Sequence, residues 1–151
     1  MSLKTWIEEF YPVPASPEMS DADACKHGIL KWSGRYKKNL KKHNVESTNF
    51  YIVERTPLNV VESFALKDFA FGVDTCALCN KYYDYDYWSD VFKKSPCQNC
   101  PIVKSGNKSC CANGSAYLKS SKPDASPLPM LKVLRQALED CEAHPEEFKN
   151  G

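Results

Sequence analysis

The chain has 151 residues, 42% of them hydrophobic and 26% charged, with a formal net charge of +1 at pH 7. This length suits one domain with its own hydrophobic core, and the near-zero charge argues against binding nucleic acid through bulk charge. No stretch has the apolar length of a membrane span or the pattern of a signal peptide, so we expect a soluble, intracellular protein whose eight cysteines are metal ligands or thiols rather than disulfides.

The beginning of the chain predicts an extended arm over residues 1–15, because Pro12 and Pro14 oppose helix formation there. A helical and strand portion is expected to follow over residues 16–75. Its first helix begins at a serine that caps the backbone, and there are two candidates for that cap: Ser16 and Ser20.

The helix after this cap has one apolar face. Four residues recur at spacings of four, three and four, as expected for one side of an α-helix: Cys25, Ile29, Trp32 and Tyr36. Gly34 is expected to end or bend the helix. A second short helix is predicted over residues 35–44, with Leu40 facing inward and its lysines facing solvent.

Two later segments favour β-structure. Residues 50–54 are apolar and β-branched enough for a strand, which Pro57 would end. Residues 64–71 are ambiguous between strand and helix, and we expect a strand that leads into the cysteine-rich segment.

The last third of the chain predicts little regular structure before one long helix. Residues 101–111 predict a helical turn and a loop, and residues 114–127 a loop. The long helix is expected over residues 126–143, with Ser126 as its cap, and residues 144–151 form a tail. Its inward stripe contains Leu131, Leu134, Leu138 and Cys141, widened by Met130, Val133 and Ala137.

Two Cys-x-x-Cys pairs, separated by 17 residues, are the strongest motif in the sequence: Cys76, Cys79, Cys97 and Cys100. Two residues between thiolates form a tight knuckle that lets both sulfurs reach one ion, and two knuckles complete a tetrahedron. The spacing predicts one structural Zn²⁺ ion within a module over residues 76–112. A saturated Cys₄ site has no open position for activating water, so it would stabilise the fold rather than catalyse a reaction.

The other four cysteines are assigned less directly. Cys110 or Cys111 is an alternative ligand that could replace one of the four, although both are also consistent with ordinary thiols. Cys25 and Cys141 lie on apolar helix faces and are expected in the core. These elements together predict an α+β fold, in which N- and C-terminal helices surround a small β element and a Cys₄ zinc-ribbon-like module.

An aromatic and acidic insert, YYDYDYW, lies between the two cysteine pairs at residues 82–88. Its rings are consistent with core packing of a hairpin strand. They are also consistent with an exposed patch that binds a protein partner, since Tyr and Trp are favoured anchors at interfaces. The candidate partner-binding residues are Tyr83, Tyr85, Tyr87 and Trp88.

Five segments resemble a group of small proteins encoded by tailed bacteriophages and prophages: EEFYPVPAS, ACKHGILKWSGRYKKNLKKHNV, CALCNKY, CQNCPI and SCCANGSAY. The matching positions are His27, Lys31, Trp32, Asn39, Leu40, His43, the four paired cysteines and Pro101. The resemblance spans about residues 9 to 118 and departs from the pattern at Cys110–Cys111, where two cysteines stand for one. It implies phage origin and zinc binding, but no reaction.

Three functions are compatible with these features. The first is a non-enzymatic phage accessory protein in the cytoplasm of the infected bacterial cell, which binds a host or phage protein. Inhibition of a host defence or metabolic factor is one form of this function. The second is a nucleic-acid-binding module that uses the basic segment 31–42, with four lysines as its candidate contacts: Lys37, Lys38, Lys41 and Lys42. The third is a metal-dependent, nuclease-like enzyme, suggested by His43–Asn44 in a chain with paired knuckles, although His43 precedes both knuckles by more than thirty residues. The lack of a phosphate-binding loop or a nucleophile motif favours the first.

Overall fold

The computed structural model describes residues 2–46, 50–52, 54–55, 60–61, 69–71, 75–82, 99–110, 114–121 and 125–145. Within these ranges the helices are α1 (Leu3–Phe10), α2 (Asp21–Ser33), α3 (Lys37–Lys42), α4 (Ala77–Tyr82), α5 (Pro101–Lys104), α6 (Ala116–Ser121) and α7 (Leu128–Ala143). The strands are β1 (Phe50–Ile52), β2 (Glu54–Arg55), β3 (Val60–Val61) and β4 (Phe69–Phe71). β1 pairs with β4 in parallel, and β2 pairs with β3 antiparallel.

The prediction of an α+β fold with a zinc-ribbon-like module is wrong. The described part of the chain is mainly helical, and its strands have only two or three residues each. The cysteine pairs lead into helices: Cys76 directly precedes α4, and Cys100 is the N-cap of α5. Among the residues that the structure describes, no group of three or more His, Cys, Asp or Glu side chains could hold a metal ion.

The extended arm predicted for residues 1–15 is also wrong, because α1 occupies its first part. Ser2 and Thr5 form a capping box at the start of α1, which satisfies backbone donors at that end. Trp6 and Phe10 lie one turn apart on the buried face. The prolines follow the helix instead of lying within it, so they do not oppose it.

The core is centred on the packing of α2 against α7 and also contains buried residues of α1, α3, α4 and α5. Ser20 caps α2 by accepting the backbone N–H of Asp23, which confirms the second candidate cap. The predicted apolar face is confirmed: Cys25 and Trp32 are buried, and Ile29 and Tyr36 pack against the core. Gly34 ends α2, as predicted.

The predictions for α3, α5 and α7 are confirmed in outline. Leu40 is buried in α3 while its lysines are exposed. A helical turn follows Cys100, as expected. In α7 the buried residues are Met130, Leu131, Leu134, Ala137 and Cys141. The helix begins at Leu128 rather than Ser126, and Ser126 Oγ accepts the Leu128 N–H at 3.1 Å.

The loop predicted for residues 114–127 is partly wrong, because α6 lies within it. Ser115 Oγ accepts the backbone N–H of Leu118 at 3.2 Å and so caps the first turn. Tyr117 packs edge-on against Trp32 and donates its hydroxyl to Phe71 O at 2.9 Å. These contacts attach α6 to the core. They join residues far apart in the chain, so the local sequence pattern did not predict this helix. No helix in the described ranges is both long enough and apolar enough to cross a membrane.

Candidate metal centre

The first cysteine pair lies at the start of α4, with Cys76 just before the helix and Cys79 in its first turn. The Cys79 N–H donates to Cys76 Sγ at 3.4 Å, and the Asn80 N–H donates to Cys76 O at 2.9 Å. Ala77 and Leu78, between the two cysteines, are buried and anchor the turn in the core.

The two sulfurs of this pair interact with each other. The hydrogen bond with the Cys79 thiol, together with desolvation, raises the pKa of Cys76 well above its usual value, whereas the ammonium of Lys31 acts in the opposite direction. The pair therefore combines two adjacent sulfur donors with a nearby positive charge. That arrangement suits a soft cation bound by thiolates.

The second pair is only half described. Cys97 lies outside the described residues, whereas Cys100 is buried at the start of α5. Burial raises the pKa of Cys100 to about 12, while backbone N–H groups of Ile102 and Val103 lower it. The charge that Cys76 would carry as a thiolate also raises the pKa of Cys100, so these two cysteines are near enough to interact.

Lys31 is buried beside the first pair, with only 2% of its surface exposed. Its Nζ donates to Thr75 O at 2.9 Å and to Thr75 Oγ1 at 3.4 Å, and Thr75 directly precedes Cys76. Burial lowers the pKa of Lys31, and the charges of Cys76, Cys79 and Cys110 as thiolates would raise it. Cys110 therefore lies within electrostatic range of the same ammonium as the first pair.

Helix α4, which follows the first cysteine pair, is bonded to α2 through Asp21. Lys81 Nζ lies 2.9 Å from Asp21 Oδ1, and the Tyr82 hydroxyl donates to the same oxygen. Burial and the Asp21 carboxylate raise the pKa of Tyr82. Tyr82, the first ring of the aromatic insert, is thus part of the folded core and not of an exposed patch.

The remaining predicted site residues divide into described and undescribed groups. Cys111 and the four candidate partner-binding residues, Tyr83, Tyr85, Tyr87 and Trp88, lie outside the described residues. Cys25 and Cys141 are buried between α2 and α7 with their thiols hydrogen-bonded to each other, as expected for core cysteines. Burial raises the pKa of both.

The fold buries the first part of the basic segment 31–42 and exposes the lysines of its second part. Lys31 and Arg35 are buried, and Trp32 is buried as well, so this ring is not available to stack on bases. The four candidate nucleic-acid contacts lie on the exposed side of the short helix α3: Lys37, Lys38, Lys41 and Lys42. Trp32 and Tyr36, which lie among these basic residues, therefore pack in or against the core, as predicted from the sequence.

The hydrogen bonds of His27 and His43 are to oxygen atoms and not to these thiols. His27 Nε2 binds Val13 O at 2.7 Å. His43, which suggested the nuclease-like alternative, is 3% exposed, and both ring nitrogens have partners: Thr5 Oγ1 at 2.9 Å and Glu9 Oε2 at 2.5 Å.

Sequence reasoning missed Lys31 and Thr75 as parts of this centre. One signal for Lys31 was available: it follows Ala24 and Gly28 at spacings of seven and three, so it shares their inward face. The partnership with Thr75 had no local signal, because it joins residues 44 positions apart.

No protein-family model matches the chain, and the searches of curated proteins and of solved structures find no match either.

Proposed function

We propose that this chain is a zinc-binding protein of a tailed bacteriophage or prophage. It acts in the cytoplasm of the bacterial host by binding a host or phage protein, and it does not catalyse a reaction. The zinc ion stabilises the fold around the two cysteine pairs. The segment between the pairs then serves as the contact with the partner.

The geometry of Cys76 and Cys79 supports the metal part of this proposal. Their sulfurs are adjacent, one of them accepts a backbone N–H, and a buried ammonium lies close by. The backbone N–H and the ammonium favour the Cys76 thiolate over the thiol, and the adjacent sulfurs would let both cysteines bind one cation. Cys76, Cys79, Cys97 and Cys100 would hold the ion, with Cys110 or Cys111 as the alternative fourth ligand. The ion would supply folding energy, because four thiolates leave it no open position.

The anchoring of Tyr82 and Cys100 supports the partner-binding part. Tyr82 is held by Asp21 on one side of the undescribed segment 83–98, and Cys100 is buried just beyond the other side. A segment whose two attachments are fixed loses less conformational entropy on binding than one with free attachments. Its rings, Tyr83, Tyr85, Tyr87 and Trp88, are of the types enriched at interface hot spots.

Metal content measured on the purified protein, together with its native mass, tests the metal part. We expect one zinc per chain, lost on single changes of Cys76, Cys79, Cys97 or Cys100 to Ser. The matched controls are Cys25→Ser and Cys141→Ser, which alter cysteines of the core and should keep the zinc. A protein without zinc, or with zinc retained in all four ligand variants, would refute it.

A capture experiment from infected cells tests the partner-binding part. The bait is the zinc-loaded protein, compared with a variant in which Tyr83, Tyr85, Tyr87 and Trp88 are all changed to Ala. The control variant changes two exposed apolar residues elsewhere, Val13 and Leu30, to Ser. A protein captured by the wild type and the control but not by the aromatic variant supports the proposal, and equal capture by all three contradicts it.

A further inference from the structure

His43 lies in the interior of the protein at the C-cap of α3, with only 3% of the residue exposed. Both of its ring nitrogens contact side chains of α1. Nε2 lies 2.5 Å from Glu9 Oε2, and Nδ1 lies 2.9 Å from Thr5 Oγ1. The ring of Phe10, also in α1, meets the imidazole edge-on at 85°. The donors and acceptors among these partners determine which ring nitrogens carry a proton.

The Nε2 atom of His43 carries a proton. Its partner is a carboxylate oxygen, which can only accept a hydrogen bond. The other oxygen of Glu9 accepts from the ammonium group of Lys42 at 2.8 Å, and this second cation keeps the carboxyl group ionised. In the described ranges, the charged groups that contact the ring or its carboxylate partner are therefore Glu9 from α1 and Lys42 from α3 itself.

The Nδ1 atom of His43 carries a proton as well. The Thr5 hydroxyl oxygen contacts three groups: Ser2 N and Ser2 O, both at 2.8 Å, and the Nδ1 atom. The Ser2 N–H donates to this oxygen, whereas the Ser2 carbonyl can only accept, so the hydroxyl proton is directed to Ser2 O. Because a hydroxyl has only one proton, none remains for Nδ1, and the ring must donate there.

We propose that His43 is a buried imidazolium that holds α1 against α3, and that the loss of one ring proton as the pH rises loosens this contact. The inference is independent of the cysteine pairs and of the proposed zinc ion. A neutral ring would place the lone pair of Nδ1 against Thr5 Oγ1, or would draw the hydroxyl proton away from Ser2 O. One hydrogen bond is lost in either case, so the contact weakens on the alkaline side. Protonation of Glu9 weakens it on the acid side.

The position of α1 decides whether aromatic side chains of the core are covered. Trp6 is fully buried, and its indole N–H donates to Gly34 O at 2.8 Å. Its ring centroid lies 5.4 Å from that of Phe10 and 6.1 Å from that of Phe71. The second proton on His43 therefore favours the state in which these rings are covered, and its loss favours their exposure.

The charge of His43 is measured by nitrogen NMR of protein labelled at its three histidines. An imidazolium gives two ring-nitrogen signals close together, whereas a neutral ring gives two widely separated signals. The His43 signals are the ones that disappear in His43→Gln. At about pH 7.5 a fully solvated histidine is mostly neutral, and we expect His43 to carry both ring protons there. The same protein unfolded in urea is the control, and its histidines should be mostly neutral.

Hydrogen exchange of the α1 amides, corrected for the intrinsic exchange rate at each pH, tests the effect on α1. Between about pH 6 and about pH 9, protection of the α1 amides should fall about 10-fold in the wild type, while that of α7 stays constant. Thr5→Val removes the partner of Nδ1, so the pH-dependent fall should be absent in this variant. Thr5→Ser keeps the hydroxyl and should keep the fall.

A neutral His43 ring at about pH 7.5 in the wild type would overturn the inference. Protection of α1 that does not fall with pH, or that falls equally in the wild type and in Thr5→Val, would also overturn it, because the contact with Thr5 would then not be the cause. If Thr5→Val does not fold, Glu9→Gln decides. Without the carboxylate, His43 should lose its second proton at a lower pH than in the wild type, and an unchanged titration of the ring would contradict the proposal.

Discussion

His43 Nε2 lies 2.5 Å from Glu9 Oε2, and this contact joins the end of α3 to the end of α1. The other ring nitrogen of His43 contacts Thr5 Oγ1 at 2.9 Å, so the ring is held at both sides by one helix. Lys42 reaches the second oxygen of Glu9 at 2.8 Å. One carboxylate thus receives two basic groups from α3.

Changing Glu9 to Gln should remove a pH-dependent part of the stability. Hydrogen bonds from Lys42 and then His43 lower the pKa of Glu9 below its ordinary value of 4.5. A lowered carboxyl pKa stabilises the fold above the unfolded value and loses that effect as the pH falls through the folded value. The melting temperature of Glu9→Gln should therefore lie below wild type at pH 7 and approach it below pH 4.5.

The control for this prediction is Glu8→Gln, which changes the exposed neighbouring carboxyl in the same helix. It should leave the pH profile of the melting temperature close to that of wild type. If Glu9→Gln and wild type differ by the same amount at every pH, the carboxylate does not stabilise the fold through its charge.

Gly34→Ala should be among the most destabilising small changes in the chain. A Cβ at this position would lie 2.5 Å from Trp6 Cζ2 and 2.7 Å from Phe10 Cγ, both in rigid rings of the core. Trp6 also donates its indole N–H to Gly34 O at 2.8 Å, so the ring cannot move without losing that bond. We expect a loss of about 3 kcal/mol in the free energy of unfolding, measured by urea denaturation.

Gly106→Ala separates steric overlap from backbone strain. A Cβ at Gly106 meets nothing within 4 Å, but φ is +90°, so only the left-handed backbone is unfavourable for alanine. Its expected cost is about 1–2 kcal/mol. A larger loss at Gly106 than at Gly34 would show that α1 can move away from Gly34.

The helices of this fold were predictable where one apolar face extends over several turns. The face of α2 that contains Cys25 and Trp32 and the stripe of α7 are both periodic, and periodicity is a local property of the sequence. The helix α1 was missed because Pro12 and Pro14 lie close behind it, while its start depends on a short Ser2–Thr5 capping box. The helix α6 was missed because it is short and depends on Tyr117 packing against Trp32.

The cysteine pairs of the candidate metal centre are visible in the sequence, and their binding of zinc stays a prediction. Cys-x-x-Cys spacing identifies sulfurs that can share an ion, because the knuckle is a local turn. The α+β fold inferred around them was wrong, since spacing does not specify whether strands or helices follow the turn. Lys31 could not be assigned to the centre either, because its contact with Thr75 depends on how α2 packs.

Asp21→Ala should loosen the helix that follows the first cysteine pair. Asp21 accepts bonds from both Lys81 and Tyr82, and all three side chains are partly or largely removed from solvent. Bonds to a charged group in such a setting contribute about 1.5–3 kcal/mol, so we expect a loss in that range by chemical denaturation. The same change should make the backbone amides of α4 exchange their hydrogens faster.

Asp23→Ala is the matched control for this change. Asp23 is an exposed acid in the same first turn of α2, so it shares the helix-dipole effect but not the bonds to α4. Its expected cost is about 0.3–1 kcal/mol. Equal losses in the two variants would mean that Asp21 acts on its own helix and does not hold α4.

The four exposed lysines of α3 should bind nucleic acid no better than lysines elsewhere on the surface. Trp32 is buried and so cannot stack on bases, and Lys42 is already paired with Glu9. Binding to a duplex should therefore be weak, detectable only at low salt, and set by the total positive charge. Fluorescence anisotropy with a labelled duplex, measured over a series of salt concentrations, checks this expectation.

Two variants with equal net charge make that measurement decisive. One changes the α3 lysines to Gln: Lys37, Lys38, Lys41 and Lys42. The other changes four exposed lysines on four other helices: Lys4, Lys26, Lys119 and Lys132. Equal binding and equal salt slopes are expected for the two. Weaker binding with a smaller salt slope in the α3 variant alone would instead identify α3 as a nucleic-acid contact, because each phosphate contact that is lost reduces the slope by about one.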